Sequence, residues 1–131
     1  MAFKTTLNFA GADFDVLSCS FNFRRDVDFK GRPSSGIYGG SIDLVVEANE
    51  STALLETMIN KLTQPQTGKI TFFKGDGDGE MKHIDISNGF IVNYSESITS
   101  FGGDSMTIAI TISAQKIQLG NAVLENDWPR S

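Results

Sequence analysis

The 131-residue chain contains one cysteine, one histidine and one tryptophan. Each scarcity removes a class of explanation. A lone thiol, Cys19, cannot form an internal disulfide, so the fold must rest on its apolar core. Cys19 alternates with Leu17, Phe21 and Phe23, which reads as a small buried hydrophobe rather than a nucleophile. A nucleophile would need a base, and His83 is the one imidazole available; it sits in an expected strand between Lys82 and Ile84, with no second metal ligand close in sequence. Basic charge is also scarce. Eleven Lys and Arg against sixteen Asp and Glu leave a net charge of −5, which argues against nucleic acid and against insertion into or attachment to an anionic membrane. Apolar runs never approach the roughly eighteen residues that span a bilayer, and Met1 to Thr6 lacks the apolar segment of a signal peptide.

What remains is a chain of ordinary globular composition, 40% hydrophobic and 21% charged, within the usual size of one domain and assigned as one over 1–131. Its dominant signal is period two. Phe3, Thr5, Leu7 and Phe9 alternate with Lys4, Thr6 and Asn8, and Gly11-Ala12-Asp13 reads as a hairpin turn. Phe14 to Arg25 continues the alternation, with Leu17, Cys19, Phe21 and Phe23 on one face and Val16, Ser18, Ser20 and Asn22 on the other. Ile42, Leu44 and Val46 mark another strand, preceded by Gly39-Gly40, where a bulge or a close backbone approach is expected. Later strands carry Ile84 and Ile86, then Phe90, Val92 and Tyr94 beyond a bend at Asn88-Gly89, then Met106, Ile108, Ile110 and Ile112 against Thr107, Ala109, Thr111 and Ser113.

One helix interrupts the strands, over about 51–62, capped by Asn49 or Ser51, with Leu54, Leu55, Met58, Ile59 and Leu62 forming its apolar stripe. The stretch 26–36 is polar, charged and punctuated by Gly31, Pro33 and Gly36, so it reads as an extended loop with a contact role. The expected fold is therefore mainly β: a small barrel of antiparallel strands with one α-helix and one extended loop.

Chemical motifs are few. Asp76-Gly77-Asp78-Gly79-Glu80 resembles a calcium loop in its first residues, but position six is Met81 and position twelve is Ser87, so a Gly/Asp turn is the better account. Gly36, Gly39 and Gly40 lack the lysine and following helix of a phosphate loop. No catalytic residue, metal ligand or cofactor is assigned, and the chain is not expected to be an enzyme. The small polar faces at 14–25 and 105–117 can face solvent or line a wet channel.

Two specific stretches carry a resemblance. Arg32-Pro33-Ser34-Ser35-Gly36-Ile37-Tyr38-Gly39-Gly40, and Ile112 to Ile117 followed by Gly120-Asn121-Ala122 and Glu125-Asn126-Asp127-Trp128, resemble the Bacteroidetes branch of the Hcp/TssD tube proteins of type VI secretion systems. The similarity extends through Val16–Phe23 and Leu54–Met58. It implies a barrel subunit that assembles as a homohexameric ring, with rings stacking into a hollow tube. That tube lies inside a contractile sheath, is tipped by a spike protein, and carries effectors when sheath contraction propels it. It implies assembly in the cytoplasm and export by that machine. In the family the long loop contributes to contacts within and between rings, so Arg32, Pro33, Ser34, Ser35 and Gly36 become interface candidates, joined by Asn126 and Trp128 from the tail. The alternatives are the tail-tube protein of a phage or extracellular contractile injector and, in a different class, a monomeric β-barrel binding a small ligand.

Overall fold

A computed structural model of the chain describes residues 4–60, 64–74, 79–99 and 105–126. Its strands are β1 (Thr5–Phe9), β2 (Ala12–Phe21), β3 (Arg24–Val27), β4 (Pro33–Tyr38), β5 (Ser41–Glu47), β6 (Gln66–Phe73), β7 (Glu80–Thr99), β8 (Ser105–Leu119) and β9 (Ala122–Glu125). One helix, α1 (Ala53–Asn60), follows β5. The order β5-β2-β1-β6-β7-β8, with β8 pairing back onto β5, closes a six-stranded antiparallel barrel. The two-residue turn that joins β1 to β2 uses Ala10 and Gly11, both at positive φ, as tight hairpin turns of this hand require.

The alternating residues explain the closure. On β5, Ile42, Leu44 and Val46 point into the barrel and are essentially inaccessible, while Ser41, Asp43 and Glu47 point out. Leu7, Phe9, Ile70, Ile84 and Ile112 meet them from the other strands at 0% exposure. Burying one such side chain contributes about 1.5–3 kcal/mol, and this filled interior stands in for the cross-links the chain cannot make.

Two strands change phase along their length, one of them first at the expected bend of Asn88-Gly89. A bulge between Val16 and Ser18 in the β2–β5 ladder leaves Leu17 58% exposed and turns Val16 toward the core, the reverse of the expected faces. Strand β7 runs unbroken for 20 residues but resets twice. Asn88 adopts φ 54, so Ile86 and Gly89 both face inward; a second irregularity between Ile91 and Asn93 leaves Val92 and Asn93 both outside and turns Tyr94 toward the core. The grouping of Phe90, Val92 and Tyr94 on one face therefore fails, because the inserted residue shifts the register by one.

The helix starts where Thr52 O accepts the Glu56 amide, and Ser51 Oγ accepts from the Ala53 amide. Asn49 acts one step earlier: its Oδ1 accepts from the Ser51 amide, and its Nδ2 donates to Asp13 O across to β2. Leu54 and Thr57 form the buried side with Met58 against the core, whereas Ile59 faces solvent. Leu62 lies outside the described residues, as do Gly75 to Asp78 of the Asp/Gly turn and Trp128.

The 26–36 stretch holds a ladder of its own. Strands β3 and β4 pair as a two-stranded hairpin, Arg24 with Tyr38, Arg25 with Ile37 and Val27 with Pro33, separate from the barrel sheet. It is an arm rather than an unstructured loop. Its rims are too polar to alternate, which is why the strands leave no period-two signal.

Candidate assembly surfaces

The barrel strands are used unequally, and this builds the first surface. Strand β2 pairs with β1 through residues 12–15 and with β5 through 16–21; β7 pairs with β6 through 80–89 and with β8 through 84–99. The order β2-β5-β8-β7 is thus a four-stranded sheet whose outer rims, 16–21 of β2 and 90–99 of β7, carry no ladder partner among the described residues. Its inner face is core. Its outer face is a grid of two rows: Ser18, Val45, Ala109 and Ser95 in one, Ser20, Asp43, Thr111 and Asn93 in the other. One charge stands among these eight, and it is tied down, since Thr111 Oγ1 donates to Asp43 Oδ1 at 2.7 Å. A Ser97–Thr107 hydroxyl contact of 3.2 Å extends the pattern toward the end of the sheet.

Such a face offers no general acid–base pair and no metal-binding cluster. The groups with shifted acidity lie elsewhere. Burial, aided by the Asp43 charge, pushes the Cys19 thiol up to about 11, away from the reactive thiolate. Burial and a hydrogen bond to Glu96 push the Tyr94 phenol up to about 12. His83 holds Glu80 Oε2 at 2.6 Å on Nδ1 and Asp85 Oδ2 at 3.3 Å on Nε2, and its bond keeps the Glu80 carboxyl below its ordinary value. Both imidazole nitrogens are engaged by carboxylates, and Cys19 lies opposite Leu44 while His83 lies opposite Thr71.

The arm is the second surface. Asp28 organises its tip: Oδ1 accepts from the amides of Lys30 at 2.9 Å and Arg32 at 3.0 Å, and the Asp28 amide donates to Arg32 O at 2.8 Å. Gly31 completes the turn at φ 86, a conformation that favours glycine. Ser35 Oγ accepts from the Asp26 amide at 2.8 Å and donates to Gly36 O, bracing the shaft. Phe29 stands at the tip 94% exposed. Of the residues singled out from sequence, Arg32 therefore lies at the tip, Pro33 opens β4, and Ser34, Ser35 and Gly36 form its shaft.

Asn126 is placed differently, at the root of the arm. Its amide donates to Gln115 O at 2.7 Å and its Nδ2 reaches Gly39 O and Ala114 O at 3.4 Å. It fills the junction where β5 and β9 meet along the same rim of β8. The expected close approach at Gly39-Gly40 occurs here: a Cβ on Gly39 would lie 2.5 Å from the Phe23 ring, and one on Gly40 2.6 Å from Asn126 Nδ2.

The third surface is a cleft of about 430 Å³ at the other end of β2 and β5, lined by Asp13, Asp15, Glu47 and Asn49 around Thr6 and Phe14. Sequence reasoning missed it because its acids come from two strands far apart in the chain; the alternation of Asp13 and Asp15 with Phe14 was the available signal.

The model of the family described as hemolysin coregulated protein Hcp (TssD) matches residues 1–129. The chain belongs to the Hcp family. Hcp1 from Flavobacterium johnsoniae superposes with a TM-score of 0.86 at 31% identity, over 94% of this chain and 99% of that one. Hcp1 from Salmonella typhimurium shares the fold at a TM-score of 0.73 and 13% identity, covering 91% of this chain and 86% of its own. The tube-bearing PVC sheath-tube complex of an extracellular contractile injection system shares it more distantly, with a TM-score of 0.53, 15% identity and coverages of 91% and 89%. None of the curated protein sequences compared with the chain matches it. Hcp proteins are structural tube components of secretion systems, so the barrel, the polar sheet face and the arm belong to an assembly subunit.

Proposed function

We propose that this Hcp chain forms the wall of a type VI secretion inner tube, and that its work is mechanical rather than catalytic. One observation carries the reading: the four-stranded sheet β2-β5-β8-β7 has a small polar outer face and two unladdered rims. Natural sheets blunt exposed rims with charged side chains, proline or bulges. Here 16–21 and 90–99 contain one charged residue, Glu96, and no proline, and each carries one bulge, at Leu17 and Val92, which leaves 18–21 and 93–99 as the regular stretches suited to pairing with another copy.

The topology fits a ring. Four antiparallel strands leave the two rims running in opposite directions, so β7 of one copy meets β2 of the next antiparallel and the alternation continues across the joint. The contact is heterologous and closes only at a fixed copy number. Six copies, the number the resemblance implies, make a continuous wall roughly 37 Å across between backbones at about 4.8 Å per strand. The Ser, Asn, Thr and Ala grid then lines a wet lumen through which effectors travel, under a surrounding sheath and behind a spike. The same machine exports the protein.

A ligand-binding monomer fits less well, because Leu7, Phe9, Ile70 and Ile112 fill the barrel axis at 0% exposure. The related injector tubes share the fold at 15% identity, whereas the family match over 1–129 and the 31% relative favour the secretion reading. Amide hydrogen exchange tests the pairing. Protection at 16–21 and 90–99 should rise with protein concentration, while β1 and β6 stay unchanged. Equal protection at all concentrations in a particle larger than one chain would place the contact elsewhere.

A further inference from the structure

A groove of about 200 Å³ beside the root of the arm is lined by apolar side chains alone: Phe23 on the arm side, and Ile117, Leu119, Ala122, Val123 and Leu124 from the β8–β9 hairpin. The hairpin register sets Ile117 opposite Leu124 and Leu119 opposite Ala122, so these four share one face of the ladder. Ile117 is 3% exposed, whereas Phe23 and Val123 are 43% and 52% exposed. A buried floor under an open apolar lip leaves surface for an occupant.

The next part of the chain is tethered beside this groove. Asn126 is the last described residue; its amide donates to Gln115 O at 2.7 Å and its Nδ2 reaches Gly39 O at 3.4 Å. Gly39 lies against both walls, since a Cβ there would be 2.5 Å from the Phe23 ring and 2.8 Å from Leu124 Cδ2. The residues that follow in the sequence, Asp127-Trp128-Pro129-Arg130-Ser131, include the chain's single tryptophan. Two residues span at most about 7 Å of backbone, so Trp128 is attached within reach of both walls. Pro129 biases the backbone at Trp128 toward extended conformations and trims the freedom lost on docking.

We propose that Trp128 seats its indole in this groove of its own chain and fastens the root of the arm to the β8–β9 hairpin. The apolar lining suits the faces of the indole, and the open lip leaves its ring N–H in contact with water. Attachment beside the groove gives this segment an effective concentration that a separate copy does not match. Phe23 lies between β2 and β3 and Leu124 lies in β9, so a ring wedged against both sets the angle at which the arm leaves the barrel. The latch closes within one chain and needs no ring.

Because Trp128 is the one tryptophan, the intrinsic fluorescence of the full chain reads its surroundings directly. Emission from the folded protein should lie to the blue of its position in urea, with quenching by acrylamide several-fold slower, and both should persist on dilution. Val123→Glu places a charge at the exposed lip and Phe23→Ala removes a wall. Each should move the emission to the red and speed quenching while the far-ultraviolet circular dichroism stays native. Trp128→Ala should raise amide exchange several-fold across Arg24–Val27 and leave β1 and β6 unchanged. Native emission that matches the urea value overturns the seating. So does shielded emission that neither groove substitution moves in the folded chain, which places the indole elsewhere, and so does shielding lost on dilution without unfolding, which assigns it to a contact between copies. Unchanged exchange in β3 after Trp128→Ala overturns the fastening of the arm.

Discussion

Gly40→Ala tests the junction on which the arm depends. Gly40 links the returning strand β4 to β5 at φ +100, where an L side chain is strained at a cost of about 1–3 kcal/mol. Its new Cβ would lie 2.6 Å from Asn126 Nδ2 and 2.9 Å from Ala114 O, and the second atom is backbone that moves only if β8 moves. Shifting β8 also weakens the 2.7 Å bond from the Ala114 amide to Gly40 O, which contributes about 0.5–1.5 kcal/mol. The sum is about 1.5–4.5 kcal/mol, or a fall in Tm of roughly 5–15 °C for a domain of this size. Gly120→Ala is the control: Gly120 sits at φ +59 with nothing within 4 Å of its added Cβ, so it pays backbone strain alone, about 1 kcal/mol. Urea unfolding followed by far-ultraviolet circular dichroism, at one protein concentration so that assembly does not confound the comparison, measures both. Asn126→Ala should relieve part of the Gly40→Ala defect, making the pair less than additive. If Gly40→Ala costs no more than Gly120→Ala, the packed junction is wrong.

Two further outcomes follow from the same packing. Leu44→Ala, at 1% exposure beneath the polar grid, should destabilise the fold by about 2–5 kcal/mol in urea unfolding, whereas Ser20→Ala on the outer face of the same sheet should stay within about 0.5 kcal/mol. Cys19 should react with a disulfide reagent at pH 8 at least tenfold slower in the folded protein than in urea. A thiol raised from 9.0 to about 11 holds roughly a hundredfold less thiolate there, and the greater nucleophilicity of the more basic thiolate recovers only about tenfold. The difference should shrink as pH rises toward 11, and equal rates at pH 8 would show an accessible thiolate.

Much of the barrel was readable because a half-buried strand writes its burial into every second residue. Ile42-Leu44-Val46 and Ile108-Ile110-Ile112 are apolar inward and polar outward as the alternation requires. Leu17 and Val92 were not readable, since a bulge is a property of a ladder between two strands and leaves no mark on either alone. The helix stripe misplaced Ile59 because α1 touches the barrel mainly along β7, too narrow a contact to cover all its apolar residues. The polar face was half legible: Ser18, Ser20, Ala109 and Thr111 stood out, but Asp43, Val45, Asn93 and Ser95 join them only through strand order. The arm residues from Arg32 to Gly36 do lie together, whereas Asn126 packs at the root, a placement that depends on β8 serving two partners along one rim.

The mass of the particle decides most directly whether the β2 and β7 rims join head to tail into a ring. Native mass spectrometry of the purified chain across a concentration series should show one dominant species at six times the chain mass, with no even ladder of dimers. A chain that remains single at every concentration, or one that stops at two copies as an isologous contact would, means that the two rims do not join in this way.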